Sequence, residues 1–459
     1  MMNRSMTSIR PMAGARALTR YGSEPHQGGW SDLGPRDQAC EAPLTRDGGR
    51  EHRNVGDAPS AMASGRAERL RNRPGVLFRR YAGKLLLAAL AVFGLAAVHA
   101  AQAADPQGFL ETIHRHFMLA STIAPNGDLN PYAVVVAPVS AGKIHRGDVL
   151  VTNFNNVSNL QGTGGTIVDY NPSSKKTTLF ASLPQHLAQC PGGVGLGTAM
   201  TMLKSGWVIV GSTPSTDGTT RTKGDGCLLV LDSNGQLVTA WSGPNINDPW
   251  GNMATIDRET TATLFVSMAG FGVPGPAALD PKTGLPVTVN NATVLRIDLA
   301  IPPGKPPQST SQTVIANGFG QRADRDAFLI GPTGLALGPD RTLYVSDALG
   351  NRIVAIPEAA TRTTSAGTGR TVTRNGLLKR PLAMALAPDG DLLVTNAKNG
   401  EVVEVDPVTG RQRYAQWIDT DQAQSPPGNG DLFGLAMIPN GSGFYYVEDD
   451  VNTLMEATR

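Results

Sequence analysis

Three stretches near the C-terminus repeat one pattern of short strands and tight turns. They begin at Gly331 (GPTGLALGPDRTLYVSDALGNRIVAI), Arg380 (RPLAMALAPDGDLLVTNAKNGEVVEVD) and Asp431 (DLFGLAMIPNGSGFYYVEDDVNTLMEA). In each, an apolar strand leads into a Pro-Asp or Pro-Asn turn, a second strand rich in Leu, Val and Tyr, a polar turn and a third strand. A period of about fifty residues built from short strands is typical of propeller blades. The repeat therefore predicts an all-β chain of the propeller type.

Weaker copies of the pattern upstream bring the number of predicted blades to six. They run from Tyr132 to Asn153, from Gly195 to Gly211 and from Trp250 to Ser267. A third strand follows in every copy, and five of the six copies are then followed by a candidate fourth strand. These candidate fourth strands begin at Thr177, Leu237, Gln312, Arg370 and Arg411.

The sixth blade lacks a fourth strand because the chain ends at Arg459. An open sheet edge would leave backbone groups unpaired and the ring unclosed. The stretch HFMLASTI, from His116 to Ile123, has the length and β character to fill this edge. We therefore expect a six-bladed ring of four-stranded antiparallel blades, closed by this N-terminal strand lying beside Thr453 to Ala457.

An export signal precedes the predicted ring. Basic residues at 79, 80 and 84 flank an apolar run from Leu85 to Val98, and Ala101-Gln102-Ala103 forms an A-x-A cleavage site. The apolar run is shorter than a typical transmembrane helix. The pattern predicts a signal peptide over residues 76–103, a mature propeller over 104–459 and a periplasmic or secreted protein. A retained membrane anchor is the alternative.

Residues 1–75 are rich in Arg, Gly and Pro and have hardly any apolar periodicity. Such a segment cannot bury enough apolar surface to become ordered. Because a signal peptide normally begins near the initiator Met, we interpret residues 1–75 as a disordered extension or a misassigned translation start. A cytoplasmic arm or a transit sequence is the alternative.

The charge balance changes once the front section is removed. The whole chain carries a formal net charge of +2, but residues 1–103 hold 15 Lys and Arg against 8 Asp and Glu. The remaining residues hold 25 and 30, so the predicted mature chain is acidic. A propeller without a basic surface is not expected to bind nucleic acid, nor a membrane after signal cleavage.

Two cysteines remain in the mature chain. Cys190 lies in the loop before the second blade, and Cys227 opens that blade's third strand. In an oxidising compartment two such cysteines are expected to pair, and the sequence predicts a disulfide between them. Neither lies in a CxxC or His-rich setting, which argues against a metal or nucleophilic role.

The stretch LYVSDALGNRIVAI, from Leu343 to Ile356, resembles the NHL repeat, and LLVTNAKNGEVVEVD, from Leu392, is similar to it. The whole set is similar to the wider group of six-bladed propellers that includes gluconolactonase-like (SMP-30) and strictosidine-synthase-like proteins. This resemblance implies a six-bladed propeller. NHL proteins are commonly binding scaffolds, whereas the lactonase-like relatives hold a divalent metal at the central channel through Glu, Asn and Asp near the starts of inner strands.

The inner strands of this chain depart from the lactonase-like pattern. Where that pattern places Asn or Asp, this sequence has Thr333, Leu382 and Phe433, and only Asn252 offers an amide oxygen at a comparable place. A hard cation requires several oxygen ligands at once. We therefore predict no metal cofactor. The alternative is Ca²⁺ or another divalent cation on a set formed by Asn153, Asn252, Asn396 and Glu448.

Long insertions are predicted to lie on one face of the ring, in Asn153 to Gly164, Ser212 to Gly226, Met268 to Ala292 and Asp419 to Gly430. Loops on a rigid scaffold commonly carry binding sites. Aromatic residues among them, including Phe154 and Phe271, are candidates for the floor of a pocket with polar contacts around it. The candidate ligand-binding residues are Asn153, Asn155, Trp250, Asn252, Asn396, Lys398, Phe433 and Glu448. The structural alternative is that Trp250 packs between blades and the insertions have no role.

Two function classes follow from these observations. The first is an exported, monomeric binding or interaction scaffold, with a small-molecule ligand or a protein partner on the loop-rich face. The second is a metal-dependent lactonase-like or esterase-like hydrolase or lyase with its site at the central channel. Thr333, Leu382 and Phe433 favour the scaffold, because their side chains cannot assemble an oxygen-rich metal site.

Overall fold

The computed structural model describes residues 107–419, 421, 422, 424–430 and 432–459. The predicted extension over residues 1–75 and the predicted signal peptide over 76–103, with its cleavage site, lie outside the described residues. Helical structure in the described part consists of two 3₁₀ turns, Leu110–Thr112 and Thr220–Thr222. None of the described helices has the length and apolar character needed to cross a membrane.

Six antiparallel sheets form the blades, and the first strand of the chain belongs to the last of them. This strand is β1 (Arg115–Ser121). Blade one contains β2 (Leu129–Val136), β3 (Val149–Asn155), β4 (Thr166–Asn171) and β5 (Lys176–Ser182). Blade two contains β6 (Leu196–Met202), β7 (Val208–Ser212), β8 (Cys227–Leu231) and β9 (Leu237–Trp241). Blade three contains β10 (Ala254–Asp257), β11 (Thr261–Met268), β12 (Val289–Ala300), β13 (Gln308–Ala323) and β14 (Leu329–Ile330).

The C-terminal half supplies the three blades whose sequence pattern is clearest. Blade four contains β15 (Pro332–Leu337), β16 (Leu343–Asp347), β17 (Arg352–Ile356) and β18 (Arg370–Arg374). Blade five contains β19 (Pro381–Leu386), β20 (Leu392–Asn396), β21 (Glu401–Val405) and β22 (Gln412–Trp417). Blade six contains β23 (Leu432–Met437), β24 (Gly443–Glu448) and β25 (Thr453–Thr458), and β1 completes it.

The predicted closure of the ring is confirmed. Strand β1 pairs antiparallel with β25, with His116 opposite Ala457 and Ser121 opposite Thr453. The five predicted fourth strands are also present, as β5, β9, β13, β18 and β22. The N-terminal strand thus covers the edge that the end of the chain leaves open.

Blade three differs from the four-stranded expectation. Its fourth strand, β13, is 16 residues long and turns back into β14, which pairs with it through Arg322 opposite Ile330. This additional strand pair is not part of the sequence repeat, because it lies in the connection between blades three and four. The β13–β14 hairpin carries residues 324–328 towards the centre of the ring, where Phe328 is buried.

The core is divided into six clusters, one at each interface between neighbouring blades. Short strands with apolar side chains on both faces can pack against a blade on each side, which explains the fully buried middle strands of blades one, two, four and five. The cluster between blades two and three, for example, joins Ile209 and Leu228 to Leu264 and Leu295. A seventh cluster lies on the axis of the ring and contains five buried aromatic side chains.

Hydroxyl groups on the second strands link several blades to their neighbours. Ser346 on β16 accepts a hydrogen bond from the Gly334 amide of its own blade (2.6 Å) and donates to the Leu382 carbonyl of the next (2.5 Å). Thr152 and Ser267 make the equivalent pair of bonds in blades one and three. A Cβ on Gly334 would collide with the Leu382 carbonyl, so this close approach of inner strands requires glycine there.

The predicted disulfide is confirmed. Cys190 and Cys227 are bonded, with a Cα–Cα distance of 5.5 Å, and both side chains are buried in the core between blades one and two. The bond ties the loop that precedes blade two to that blade's third strand.

The segment before β1 is held by buried contacts on blades five and six. Phe109, Leu110 and Ile113 are buried in the core between these blades. The Glu404 carboxylate on β21 accepts the amides of Phe109 (2.6 Å) and Leu110 (3.1 Å). Burial raises the pKa of Glu404 to about 7. Asp389 and Asp391 lie close to it, and Arg413 pairs with Asp391 (2.5 Å), so backbone amides and a guanidinium occupy the donor positions around this carboxylate group.

Candidate functional site

Five aromatic side chains meet on the axis of the ring and close its centre. We call Tyr132, Phe154, Trp250, Phe328 and Phe433 the aromatic plug. The Tyr132 ring stacks on Phe433 with 4.0 Å between ring centroids and lies 4.5 Å from the Phe154 ring. Trp250 and Phe328 contact Phe154 edge to face, at 5.7 and 5.6 Å. All five side chains are at most 1% exposed, so the plug is a packed core and not an open channel mouth.

Different parts of the fold deliver these rings. Tyr132 and Phe433 belong to inner strands β2 and β23, and Phe154 lies near the end of β3. Trp250 immediately precedes blade three, and its amide donates to the Ser267 carbonyl of that blade (3.0 Å). Phe328 comes from the β13–β14 hairpin and has a positive φ of 65°. Residues from strands and from connections therefore fill the centre of the ring together.

Next to the plug, the inner strands line a cavity of about 380 Å³ along the axis. Its walls are mostly aliphatic, with residues such as Val135, Leu335 and Met384. Asn252 is the amide in this wall, and both of its side-chain atoms bind backbone. Its Nδ2 donates to the Leu335 carbonyl (2.8 Å), and its Oδ1 accepts the Leu335 amide (3.2 Å). Asn252 therefore fastens blade three to blade four.

The positions that a channel metal would require are occupied by packed side chains. Leu382 and Phe433 lie in the cluster on the ring axis, and the Thr333 hydroxyl donates to the Gly331 carbonyl (3.1 Å). Neither the Leu382 nor the Phe433 side chain offers an oxygen, and Thr333 supplies a single hydroxyl where several oxygens would be required. These residues do not fit a hard divalent cation at the inner-strand starts.

On the loop-bearing side of the plug, the surface holds a polar depression of about 620 Å³. Its lining residues neighbour plug residues in sequence: Asn130 precedes Tyr132 by two positions, and Asn155 follows Phe154 directly. The depression and the aromatic plug are therefore adjacent in the ring. The polar residues that line the depression are Asn130, Asn155, Asn159, Gln161, Asp217, Arg325, Asp326, Gln424, Asn429, Asp449 and Asp450.

Three amide oxygens around the depression are buried without a hydrogen-bond partner among the described residues. They are the Oδ1 atoms of Asn130, Asn155 and Asn429. Asn155 is only 2% exposed, and its Nδ2 donates to the Asn159 Oδ1 (2.7 Å), which leaves its own Oδ1 as the unused acceptor. Buried polar atoms are normally paired, because an unpaired acceptor forfeits its hydrogen bonds to water. These oxygens mark places where a ligand donor would be favourable.

The electrostatics of the surrounding loops are dominated by carboxylates on the blade-six side. Burial and the charges of Asp419 and Asp450 raise the pKa of Glu448 to about 7. Burial and a hydrogen bond from Asp421 raise the pKa of Asp450 to about 6. Burial also raises the pKa of the Tyr132 phenol, with a contribution from Asp449. This side of the depression therefore disfavours further negative charge.

Two basic groups outside the lining are paired with carboxylates of the 324–326 segment, part of which lines the depression. The Arg380 guanidinium contacts the Asp324 carboxylate (2.8 Å), and the Lys398 ammonium lies 3.9 Å from Asp326. Burial and the neighbouring Arg380 lower the pKa of Lys398. The lining of the depression itself holds Arg325 against the carboxylates of Asp217, Asp326, Asp449 and Asp450, so the site is acidic on balance.

The structure brings some of the predicted ligand-binding residues together and places others in structural roles. Trp250 and Phe433 lie in the plug and Asn155 in the depression. Asn153 donates to the Thr122 carbonyl (2.9 Å), and Asn396 uses both side-chain atoms on the backbone of Lys379 and Leu377. In the described part of the chain, the side-chain hydrogen bonds of the alternative metal set Asn153, Asn252, Asn396 and Glu448 go to other residues and not to one another.

Three of the four predicted insertions contribute to the depression, through Asn159, Asp217 and Asn429. The insertion from Met268 to Ala292 contributes elsewhere: Phe271 lines a separate cavity of about 440 Å³ with Asn245 and Asn291.

Sequence reasoning does not identify Asn130, Tyr132, Phe328 or Asn429 as site residues. The apolar run AFLI, from Ala327 to Ile330, indicates a buried connection. Nothing in the sequence indicates that the Oδ1 atoms of Asn130 and Asn429 lack hydrogen-bond partners.

Comparison with known proteins yields structural likeness only. No protein-family model matches the chain, and no curated protein is similar to it. Among solved structures, a gluconolactonase from Xanthomonas campestris is 14% identical, with 75% of this chain and 89% of that chain covered, at a TM-score of 0.45. Regucalcin from Agrobacterium tumefaciens, a calcium-binding protein, is 13% identical, with 74% and 92% covered, at 0.44. Virginiamycin B lyase from Staphylococcus aureus is 15% identical, with 75% and 98% covered, at 0.42.

Sequence identities and TM-scores this low do not support any conclusion about the activity of this chain. The class of protein is defined by the chain itself, which is a six-bladed β-propeller whose closing strand comes from its N-terminal side. The six-bladed propeller that the resemblance to gluconolactonase-like proteins implies is present in the strand topology of the chain. Membership of the NHL repeat family stays a prediction.

Proposed function

We propose that this propeller is a binding scaffold that takes a small, donor-rich, cationic molecule in the polar depression. The observation that carries the proposal is the set of unused, buried amide oxygens of Asn130, Asn155 and Asn429. A ligand with N–H or O–H groups would supply the missing hydrogen bonds, and a positive charge would reduce the repulsion among the neighbouring carboxylates. Amines, amino sugars and polyamines have this chemistry.

The choice of a scaffold over an enzyme rests on the plugged centre of the ring. The second candidate, a lactonase-like hydrolase or lyase, would need a divalent cation at the channel, and the packed Leu382 and Phe433 side chains do not accommodate one. A site for a protein partner on the same loop-bearing face is also consistent with a scaffold. The depression, being concave and polar, favours a small ligand.

We also propose that the protein works outside the cytoplasm. The buried disulfide between Cys190 and Cys227 supports this, because disulfides persist in oxidising compartments. The proposed export rests further on the signal-peptide pattern over residues 76–103.

The test is a binding comparison by calorimetry on the purified chain with three probes: spermidine, glucosamine and the anion citrate. We expect saturable binding of at least one of the two amines and no binding of citrate. The variant Asn155→Leu removes one unused oxygen and keeps the volume of the side chain, so binding should weaken at least tenfold.

The matched control is Asn245→Leu, which makes the same change in the separate cavity beside Phe271. It should bind the amine with unchanged affinity. Binding of citrate alone, or amine binding that Asn155→Leu leaves unaltered, would contradict the proposed site.

A further inference from the structure

A groove of about 450 Å³ lies between blades six and one. One wall is formed by β1, β25 and β24, on which Phe117, Glu456 and Tyr445 are directly opposite one another in the strand register. Residues opposite one another in antiparallel strands project from the same face of a sheet. Tyr170 on β4 and Lys175 in the turn after it form the wall from blade one. The groove therefore places one carboxylate among three aromatic side chains.

The three aromatic rings of the groove are separate from one another. Phe117 is 48% exposed, whereas Tyr170 and Tyr445 are largely buried in the core between blades six and one. None of the ring contacts in the described part of the chain joins two of these three residues. Burial and the charge of Glu456 raise the pKa of both phenols, that of Tyr445 to about 12, so both stay neutral at physiological pH. Neutral aromatic rings around an open space attract organic cations through their faces.

The groove is also lined by two charged groups of opposite sign. Glu456 is half-buried and Lys175 is exposed, and neither side chain makes a hydrogen bond or a close ion pair with another described residue. Burial raises the pKa of Glu456, and the nearby Lys175 lowers it in part. A half-buried carboxylate is stabilised by an approaching cation, since its own hydration is incomplete. Glu456 thus provides a place for a positive group, and the exposed Lys175 provides a place for a negative group.

We propose that this groove binds a small zwitterion, free in solution, in which a quaternary ammonium is joined to an acidic group, as in phosphocholine. The ammonium lies among the three rings beside Glu456, and the acidic group pairs with Lys175. A quaternary ammonium suits the groove because it carries no N–H donors, and the groove offers more aromatic surface than hydrogen-bond acceptors. The inference does not depend on the proposed function, since such a cation cannot donate to the amide oxygens of the polar depression.

The experiment is calorimetry of the purified chain at pH 7.5 with phosphocholine, choline and inorganic phosphate as separate probes. We expect saturable binding of phosphocholine at one site, binding of choline that is at least threefold weaker, and no binding of phosphate. Vesicles of phosphatidylcholine present the same chemical group on a lipid surface, and they should not sediment with the protein. Vesicle binding without binding of free phosphocholine would overturn the proposal.

Three variants test the parts of the site. Glu456→Gln keeps the shape of the side chain and removes its charge, so phosphocholine binding should weaken at least tenfold. Phe117→Leu removes one ring and should weaken binding about threefold. Lys175→Met should reduce the affinity for phosphocholine to that for choline. Burial raises the pKa of Glu456, so its charge opposes folding at neutral pH. Glu456→Gln should therefore unfold at the same or a higher temperature than the parent chain, which shows that the variant folds.

Matched controls make the same chemical changes elsewhere. Glu401→Gln alters a half-buried carboxylate on β21 in blade five, and Phe271→Leu alters a ring in the separate cavity of about 440 Å³. Both variants, and Asn155→Leu in the depression, should bind phosphocholine with unchanged affinity. Absent phosphocholine binding, equal affinity for choline, or binding that Glu456→Gln leaves intact would overturn the proposal.

Discussion

Replacing Phe433 with alanine should lower the free energy of unfolding by about 3 to 5 kcal/mol, the range for large aromatic side chains removed from a core. Phe433 is 1% exposed and stacks on Tyr132 in the centre of the aromatic plug. The substitution removes the ring and leaves a cavity between inner strands that the six blades hold in place. Denaturant unfolding of the two proteins measures the difference.

Phe117→Ala provides the matched control, because it makes the same chemical change on β1 at a side chain that is 48% exposed. Its cost should stay below about 1 kcal/mol, as for most surface substitutions. Equal effects at the two positions would show that the plug is not a tightly packed core.

Removing the disulfide should lower the free energy of unfolding by about 3 to 4 kcal/mol in the chain-entropy model. The bond joins residues 37 apart, so the unfolded chain gains considerable freedom when it is absent. The measurement compares denaturant unfolding of the oxidised chain with that of the Cys190→Ala/Cys227→Ala variant.

The oxidised chain treated with a reductant serves as the internal control. It should approach the stability of the double variant, and the double variant should not respond to the reductant. Two free thiols in the untreated protein by intact-mass analysis, or a loss below about 1 kcal/mol on reduction, would contradict the expected contribution.

The sequence predicts the ring well because the blade is a local repeat. The turn after the apolar strand and the β-branched second strand recur with one spacing, and the missing fourth strand of blade six specifies the partner that β1 finds. The same reasoning misses the β13–β14 hairpin, since this element occurs once and lies outside the repeat.

The candidate site is less predictable because it depends on contacts between distant residues. Residue type alone makes Asn252 a candidate ligand, yet both polar atoms of its side-chain amide are hydrogen-bonded to the Leu335 backbone. The position of Asn155 in an insertion makes it a candidate ligand-binding residue. What makes it informative is the unused oxygen that remains after Asn159 has taken its Nδ2 hydrogen bond. Burial and hydrogen-bond pairing decide both cases, and neither property can be read from a single sequence.

The central proposal is that the aromatic plug closes the centre of the ring and that the cavity beside it is not a catalytic channel. Its most direct test is a turnover assay of the purified chain on aldonolactones and simple esters, with calcium or other divalent ions in excess. The account predicts hydrolysis no faster than the uncatalysed reaction, because Leu382 and Phe433 fill the positions of metal ligands. Saturable turnover that requires the divalent ion and is lost in Asn252→Ala would contradict it.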